Sequence, residues 1–283
     1  MRTLHVDTGR EMRGGQWQAL YLIERLSGAT LLARAASPLF EEAARRKLDV
    51  RPLSVRALAA MAKDVDLVHA HDARAHTLAS VAVTGAVTRV VVSRRVAFPV
   101  KSGILSAWKY SRAAMFLAVS QFVAARLTDA GIATERIRVV YDGVPLPAIG
   151  CPRGRAVALA SKPVQISGVS VDLTHNLWED LATASVFVYR SEMEGLGSAA
   201  LAAMAAGVPV VASAVGGLSE VVDHGRTGFL VTDGDFHPPL QRLLDDPRFA
   251  AELGRAGRER VEREFSVDLM VQRTERVYKE VLG

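Results

Sequence analysis

Residues 190 to 213 read Arg-Ser-Glu-Met-Glu-Gly-Leu-Gly-Ser-Ala-Ala-Leu-Ala-Ala-Met-Ala-Ala-Gly-Val-Pro-Val-Val-Ala-Ser, and this stretch decides the fold. The residues before it, Val186 to Tyr189, are apolar, β-branched or aromatic, the pattern of a buried strand. Gly195 and Gly197 then allow a sharp turn and a close backbone approach. Ser198 to Ala206 strongly favours helix, and Gly207 stands where a helix C-cap belongs. Pro209 opens a second strand over 208–212. A strand feeding a glycine loop that opens a helix leaves free N–H groups and a positive dipole end. Such a turn either receives an anion, most naturally a phosphate, or serves only as an ordinary βαβ connection.

Outward from that stretch, the chain alternates short apolar runs with helical periodicity. Strands are expected at 3–7, 30–33, 50–53, 66–71, 89–93, 115–119 and 136–140. Helices are expected at 16–26, 38–47, 55–63, 74–84, 103–110 and 120–130, the last capped by Ser120. A Pro- and Gly-rich run, 145–155, reads as a linker. Beyond it the pattern predicts strands at 156–160, 164–169 and 227–231, and helices at 174–184, 238–244, 249–265 and 267–282. Repeated strand–helix alternation predicts a doubly wound parallel α/β fold in two Rossmann-like domains, 1–146 and 147–283. Only 50 residues separate Gly143 from Glu194. Since a βαβ unit takes roughly 30 residues, the second lobe is expected to be shortened.

Composition narrows the class. The 283 residues are 49% apolar and 23% charged, ordinary for a globular chain. No apolar run reaches the 18 residues of a transmembrane helix. The first residues do not resemble a secretory signal, and the single cysteine, Cys151, excludes an intrachain disulfide. Cytoplasmic residence is the default expectation. Residues 1–145 carry 21 Lys and Arg against 12 Asp and Glu, whereas 146–283 carry 14 against 18. The basic half either faces an anionic lipid or phosphorylated partner or is a solvated arginine-rich surface.

Glu194-Gly-Leu-Gly, followed by Leu201-Ala-Ala-Met-Ala-Ala-Gly-Val-Pro-Val-Val-Ala-Ser, resembles the nucleotide-sugar loop of glycosyltransferase family 4. Tyr141-Asp-Gly-Val and residues 216–228 (Gly-Gly-Leu-Ser-Glu-Val-Val-Asp-His-Gly-Arg-Thr-Gly) extend the resemblance to almost the whole chain. The resemblance implies a GT-B fold, two Rossmann-like lobes facing a cleft. It also implies retaining transfer of a sugar from a nucleotide-sugar donor to a carbohydrate or lipid-linked acceptor in cell-envelope polysaccharide synthesis. It implies no cofactor, and the departing phosphate would serve as base. By resemblance Glu194 accepts hydrogen bonds from the donor sugar, as the catalytic carboxylate. The loop amides of Gly195, Leu196, Gly197, Ser198 and Ala199 cradle the diphosphate, and Glu220 joins the donor site.

The family's second carboxylate falls on Ala202, which has no hydrogen-bonding side chain. The basic pair usual upstream also has no clear counterpart. Lys162 is either a remnant of it or an exposed loop lysine. These departures leave open an alternative, a catalytically degenerate member that binds sugar or a partner without turnover.

On the acceptor side, the resemblance points to Gly14 and Gly15 beside Arg13, and to His71 and Asp72 at a strand end. His69, His71 and His76 suggest a metal at first sight. A strand end followed by a helix does not bring the three together, so no metal is expected. Arg94 and Arg95 follow another strand end and either bind an anion or sit in solvent. With Phe98, Lys101, Trp108, Lys109, Tyr110 and Arg112 they form a basic and aromatic stretch, 94–112, suited to peripheral membrane contact. No nucleic-acid-binding module is present.

Overall fold

The computed structural model describes residues 1–83, 88–100 and 103–283. Thr84, at the end of an expected helix, and Lys101, in the expected basic stretch, lie outside the described residues. The chain divides into two compact units, Met1–Tyr141 with Val267–Gly283, and Asp142–Ser266.

Unit 1 is a seven-stranded, all-parallel sheet in the order β3-β2-β1-β4-β5-β6-β7. Its elements are β1 (Thr3–Asp7), α1 (Gly14–Arg25), β2 (Ala29–Ala33), α2 (Pro38–Arg45), β3 (Val50–Pro52) and α3 (Val55–Met61). They continue with β4 (Leu67–Ala70), α4 (Ala73–Ala82), β5 (Arg89–Arg94), α5 (Ile104–Ser111), β6 (Met115–Ala118), α6 (Gln121–Asp129) and β7 (Ile137–Val139). The helix starts follow local chemistry. Ser37, Ser54, Asp72 and Ser120 each accept from backbone N–H groups of the first turn of the helix that follows. The strand order reverses between β1 and β4, and in open α/β sheets ligands bind beyond the carboxyl ends of strands at such a point.

Unit 2 is a five-stranded parallel sheet in the order β12-β11-β10-β8-β9. It comprises β8 (Arg155–Leu159), β9 (Val171–Thr174), α7 (Leu177–Leu181), β10 (Ala184–Tyr189) and α8 (Ser198–Ala205). After these come β11 (Val210–Ser213), α9 (Leu218–Val221), β12 (Gly228–Val231), α10 (His237–Asp245) and α11 (Pro247–Glu264). Numbered within the unit, this is the 2-1-3-4-5 order, which reverses between β8 and β10. Ala158, Val186, Val188 and Val211 fill its sheet core beneath Leu240, Leu243 and Leu253.

Three expectations need correction. The strand expected at 164–169 is a tight turn, with an isolated bridge from Ile166 to Val169 and Gly168 at φ +76°. The strand forms instead at Val171–Thr174, so α7 starts at Leu177 and is one short turn. The compression of the second lobe resides here: β8 and β9 are parallel neighbours joined by a loop, where a crossover helix is usual.

The final helix, α12 (Val267–Leu282), belongs to unit 1 rather than to a continuous 147–283 domain. It buries Met270, Val271, Val277 and Tyr278 against Leu22, Leu67, Val91, Met115 and Leu117. Burying these side chains, at about 1.5–3 kcal/mol each, outweighs any preference set by sequence proximity.

Candidate functional site

In unit 2 the candidate groups gather at the carboxyl ends of β8 and β10, where the strand order reverses. Tyr189 ends β10 and Glu194 follows five residues later; Lys162 follows β8. The Lys162 ammonium donates to Glu194 Oε2 at 2.6 Å and to Ser191 Oγ at 2.8 Å. It also lies 4.5 Å from the centre of the Tyr189 ring. The Tyr189 hydroxyl donates to the same Glu194 oxygen at 2.7 Å. Burial, and next the Glu194 carboxylate, push the Tyr189 phenol well above its ordinary pKa, so it stays a donor. Glu194 Oε1 accepts from the Gly195 N–H at 3.3 Å. The carboxylate is thus held by three donors, and Lys162 is no free loop lysine.

The loop that carries Glu194 is clamped by a second glycine turn. Gly217 N–H donates to the Glu194 carbonyl at 3.1 Å. A Cβ on Gly216, which has φ +54°, would fall 2.1 Å from that carbonyl oxygen. One on Gly217 would fall 2.1 Å from the Gly195 oxygen. Only glycine permits this backbone contact. Gly216→Ala and Gly217→Ala are each expected to cost at least about 2 kcal/mol through strain and overlap. Urea unfolding of the two variants checks this; an unchanged midpoint contradicts it.

Gly197, at φ +103°, turns the chain into α8. Its N-terminal N–H groups of Ser198 and Ala199 lie at the helix start, where the dipole favours an anion. At the other end Gly207 has φ +77° and completes a Schellman cap, with Val208 N–H on the Ala203 carbonyl and Gly207 N–H on that of Met204. Ala200 to Ala205 are all buried, and α11 approaches α8 through Gly254 and Gly257. Ala202 is only 3% exposed. Leu196 is buried in the loop, and Glu220 lies half-buried in α9, its carbonyl accepting from Arg260 at 2.9 Å.

In unit 1 a second polar cluster lies at the ends of β1 and β4. Asp72 caps α4 and accepts from the Thr8 N–H at 2.6 Å and the Thr8 hydroxyl at 2.8 Å. Asp7 accepts from Gly9 N–H at 2.7 Å and from the Gln16 amide. Burial raises its pKa, and the Gly9 N–H opposes that shift. Gly14 and Gly15 open α1 beside this cluster, and a Cβ on Gly15 would meet Arg95 Cδ at 3.8 Å. Arg94 is engaged within unit 1, by the Tyr110 hydroxyl at 3.3 Å and the Phe98 carbonyl.

His71 is buried rather than presented at a surface. Its Nε2 meets His5 Nδ1 at 2.9 Å, and its Nδ1 meets an Arg95 guanidinium nitrogen at 3.5 Å. Because a guanidinium only donates, His71 Nδ1 accepts and its Nε2 carries the hydrogen. The direction propagates: His71 donates to His5, and His5 Nε2 donates to Thr3 Oγ1 at 3.0 Å. His69 is held between the Tyr278 hydroxyl, at 2.5 Å, and Ser93 Oγ, at 2.8 Å.

His5, His69 and His71 therefore converge, with ligand-capable atoms within 4.8 Å of one another. His76, considered with them from the sequence, lies apart against Tyr110 and Phe116 with its Nε2 on the Lys109 carbonyl. All six ring nitrogens of the trio already have partners, so it reads as a hydrogen-bonded core network. Burial holds His5 at about 3, and burial with the neighbouring charges holds His69 and His71 well below the ordinary value. Sequence reasoning missed His5, Tyr189, Ser191 and Tyr278. Only Tyr189, the last residue of β10, carried a signal of proximity to a site, its strand-end position.

Comparisons with known proteins follow this division. Residues 14–146 match the family model for Glycosyltransferase Family 4, and residues 166–260 match that for Glycosyl transferases group 1. Over 117 residues the chain is 42% identical to the alpha-maltose-1-phosphate synthase of Mycolicibacterium smegmatis, covering 38% of this chain and 30% of that protein. Over 101 residues it is 35% identical to the capsular polysaccharide biosynthesis glycosyltransferase CapM of Staphylococcus aureus, covering 35% and 27%. The match thus spans less than a third of those curated relatives' length. Anabaena HepE, solved in complex with UDP-glucose, superposes with a TM-score of 0.84 at 16% identity, covering 99% of this chain and 100% of that one. The two parallel-sheet lobes have the architecture of GT-B glycosyltransferase structures.

Proposed function

Since the chain belongs to the family 4, group 1 glycosyltransferases, we propose that it transfers a sugar from a nucleotide diphosphate donor to a carbohydrate or lipid-linked acceptor. The observation that carries this reading is the Lys162–Glu194 pair at the strand-order reversal of unit 2, beside the start of α8. A sugar hydroxyl and a diphosphate need an acceptor and a cation a few ångströms apart, and these two residues supply them.

In this reading the diphosphate displaces the Lys162 ammonium from Glu194. The ammonium and the N–H groups at Gly197, Ser198 and Ala199 then meet the charge that develops on the leaving group. No metal ion is required for that neutralisation. Freed of its ion pair, Glu194 accepts from donor-sugar hydroxyls while Tyr189 keeps the carboxylate oriented. The anomeric carbon–phosphate oxygen bond breaks, and the bond to the acceptor oxygen forms on the same face. The acceptor proton passes to the departing phosphate, which requires no protein nucleophile. Asp7, Asp72, Gly14 and Gly15 serve the acceptor. The reaction belongs to cell-envelope polysaccharide assembly on the cytoplasmic side of the membrane.

Incubation with a panel of radiolabelled nucleotide sugars and an envelope extract tests the reading. Transfer with retained anomeric configuration, read by NMR of the product, is expected. Absence of product from every donor contradicts turnover, and an inverted product contradicts the phosphate-as-base route.

Ala202 favours a second reading, a catalytically degenerate member that binds a sugar or a partner without turnover and has lost the donor site. Its methyl group lies in a helix buried on every side, where the family resemblance places a carboxylate. Ala202→Glu separates the two: a weak transferase gains donor affinity, by roughly tenfold for one or two charged hydrogen bonds. A protein without a donor site shows no change.

A further inference from the structure

We infer that Ser191 is a positioning residue, the pivot on which the Lys162 ammonium turns from Glu194 to the donor's diphosphate. The inference rests on the donor-site reading above and adds the residue that steers the cation. An ammonium has three N–H donors and no acceptor. Among the described residues, Lys162 directs two of them to side chains, Glu194 Oε2 at 2.6 Å and Ser191 Oγ at 2.8 Å. Because the ammonium only donates, Ser191 Oγ accepts there, and the hydroxyl hydrogen goes to the Met193 carbonyl at 3.0 Å. One oxygen atom therefore holds the cation and closes the turn that leads into Glu194.

Ser191 is itself fixed from the far side of β10. Its N–H donates at 3.0 Å to Oγ of Ser213, the buried last residue of β11, while Lys162 arrives from the loop after β8. The serine thus stands between the two neighbours of β10 in the sheet. A lysine charge rides on a flexible four-carbon stem, and ordering that stem costs entropy. The side chains of Lys162 and Glu194 are 29% and 20% exposed, so an incoming anion reaches the ion pair. When the diphosphate enters, Glu194 turns to the sugar hydroxyls and its bond to the ammonium is lost. Ser191 is neutral and keeps its own bond through this exchange. The cation then only redirects the N–H that faced Glu194, and the stem stays ordered instead of being captured anew.

Calorimetric titration of UDP, GDP and ADP tests the assignment with the diphosphate itself as the probe. The wild type is expected to bind at least one of them saturably. Ser191→Ala is expected to weaken that binding about fivefold, and Ser191→Thr, which keeps the hydroxyl, to stay within about twofold of the wild type. Ser191→Ala retains the N–H bond to Ser213, so the strand ends remain tied. In a Lys162→Ala background the alanine at 191 is expected to cost nothing further, because the serine acts through the lysine. The same loss in that background shows that the hydroxyl only shapes the loop, and overturns the inference. A threonine variant as weak as the alanine variant overturns it too. Binding weakened in Lys162→Ala but intact in Ser191→Ala removes the inference and leaves the donor site standing. No saturable binding of any of these diphosphates by the wild type removes the donor-site reading, and the inference with it.

Discussion

Stepping the pH from 6.5 to 4.5 is expected to unfold unit 1 while unit 2 keeps its protected core. Four histidines of unit 1, His5, His69, His71 and His76, are buried in neutral form. Burial holds His5 at about 3, and burial aided by the Lys109 charge holds His76 at about 3, against 6.5 in an unfolded chain. Between those values the unfolded chain binds more protons than the folded one. The stability is therefore complete above pH 6.5 and is lost as the pH falls toward 3.

Each histidine kept neutral contributes a slope of up to about 1.4 kcal/mol per pH unit, so two suffice to remove several kcal/mol over two units. Asp7, whose pKa is raised, has the opposite sign and stabilises as the pH falls, but it is one group against four. Hydrogen exchange at a series of pH values reads the two units separately. Protection in β1, β4 and β5 is expected to fall before that in β8, β10 and β11. Equal loss in both units, or no loss by pH 4.5, contradicts the account. His76→Gln, away from the His5 network, is expected to flatten the slope by about one proton's worth.

Glu194→Gln is expected to lower kcat/KM for sugar transfer by about 10²–10³, the loss that follows removal of one preorganised group facing the reacting sugar. Neutralising the side chain keeps its shape but removes the acceptor charge that Lys162 and Tyr189 are arranged to orient. Tyr189→Phe leaves the carboxylate in place with one donor fewer, so a loss of about tenfold is expected. A double variant that loses no more than Glu194→Gln alone shows that the hydroxyl acts through the carboxylate. Full activity in Glu194→Gln removes Glu194 from the chemistry.

The glycine loop and its helix were legible in the sequence because their signals are local. Two glycines, an alanine run and a glycine stop specify a turn, a helix and a cap within eighteen residues. The parallel sheets were legible for the same reason, as successive β-branched runs. The partners of Glu194 were not. Lys162 lies 32 residues away and meets Glu194 only because β8 and β10 are neighbours in the sheet, which no local pattern announces.

The histidine network has the same cause. His5 and His69 are cross-strand partners through the register of β1 and β4, whereas His76, closer in sequence to His71, is turned away by the helix. The periodicity of 267–282 identified a helix with one apolar face and said nothing about which sheet that face covers. Tyr278, buried against His69, answers that. The shortened lobe was read from chain length alone, and the device that absorbs it, a loop in place of a crossover helix, depended on the turn at Gly168.

Calorimetric titration of nucleotide diphosphate sugars into the wild type and Lys162→Ala tests the central claim, that the Lys162–Glu194 site holds the donor. Saturable binding by the wild type is expected, weakened at least about tenfold in Lys162→Ala through loss of a charge-assisted contact to phosphate. Equal affinity in the two proteins, or no saturable heat from any donor at millimolar concentration, contradicts it.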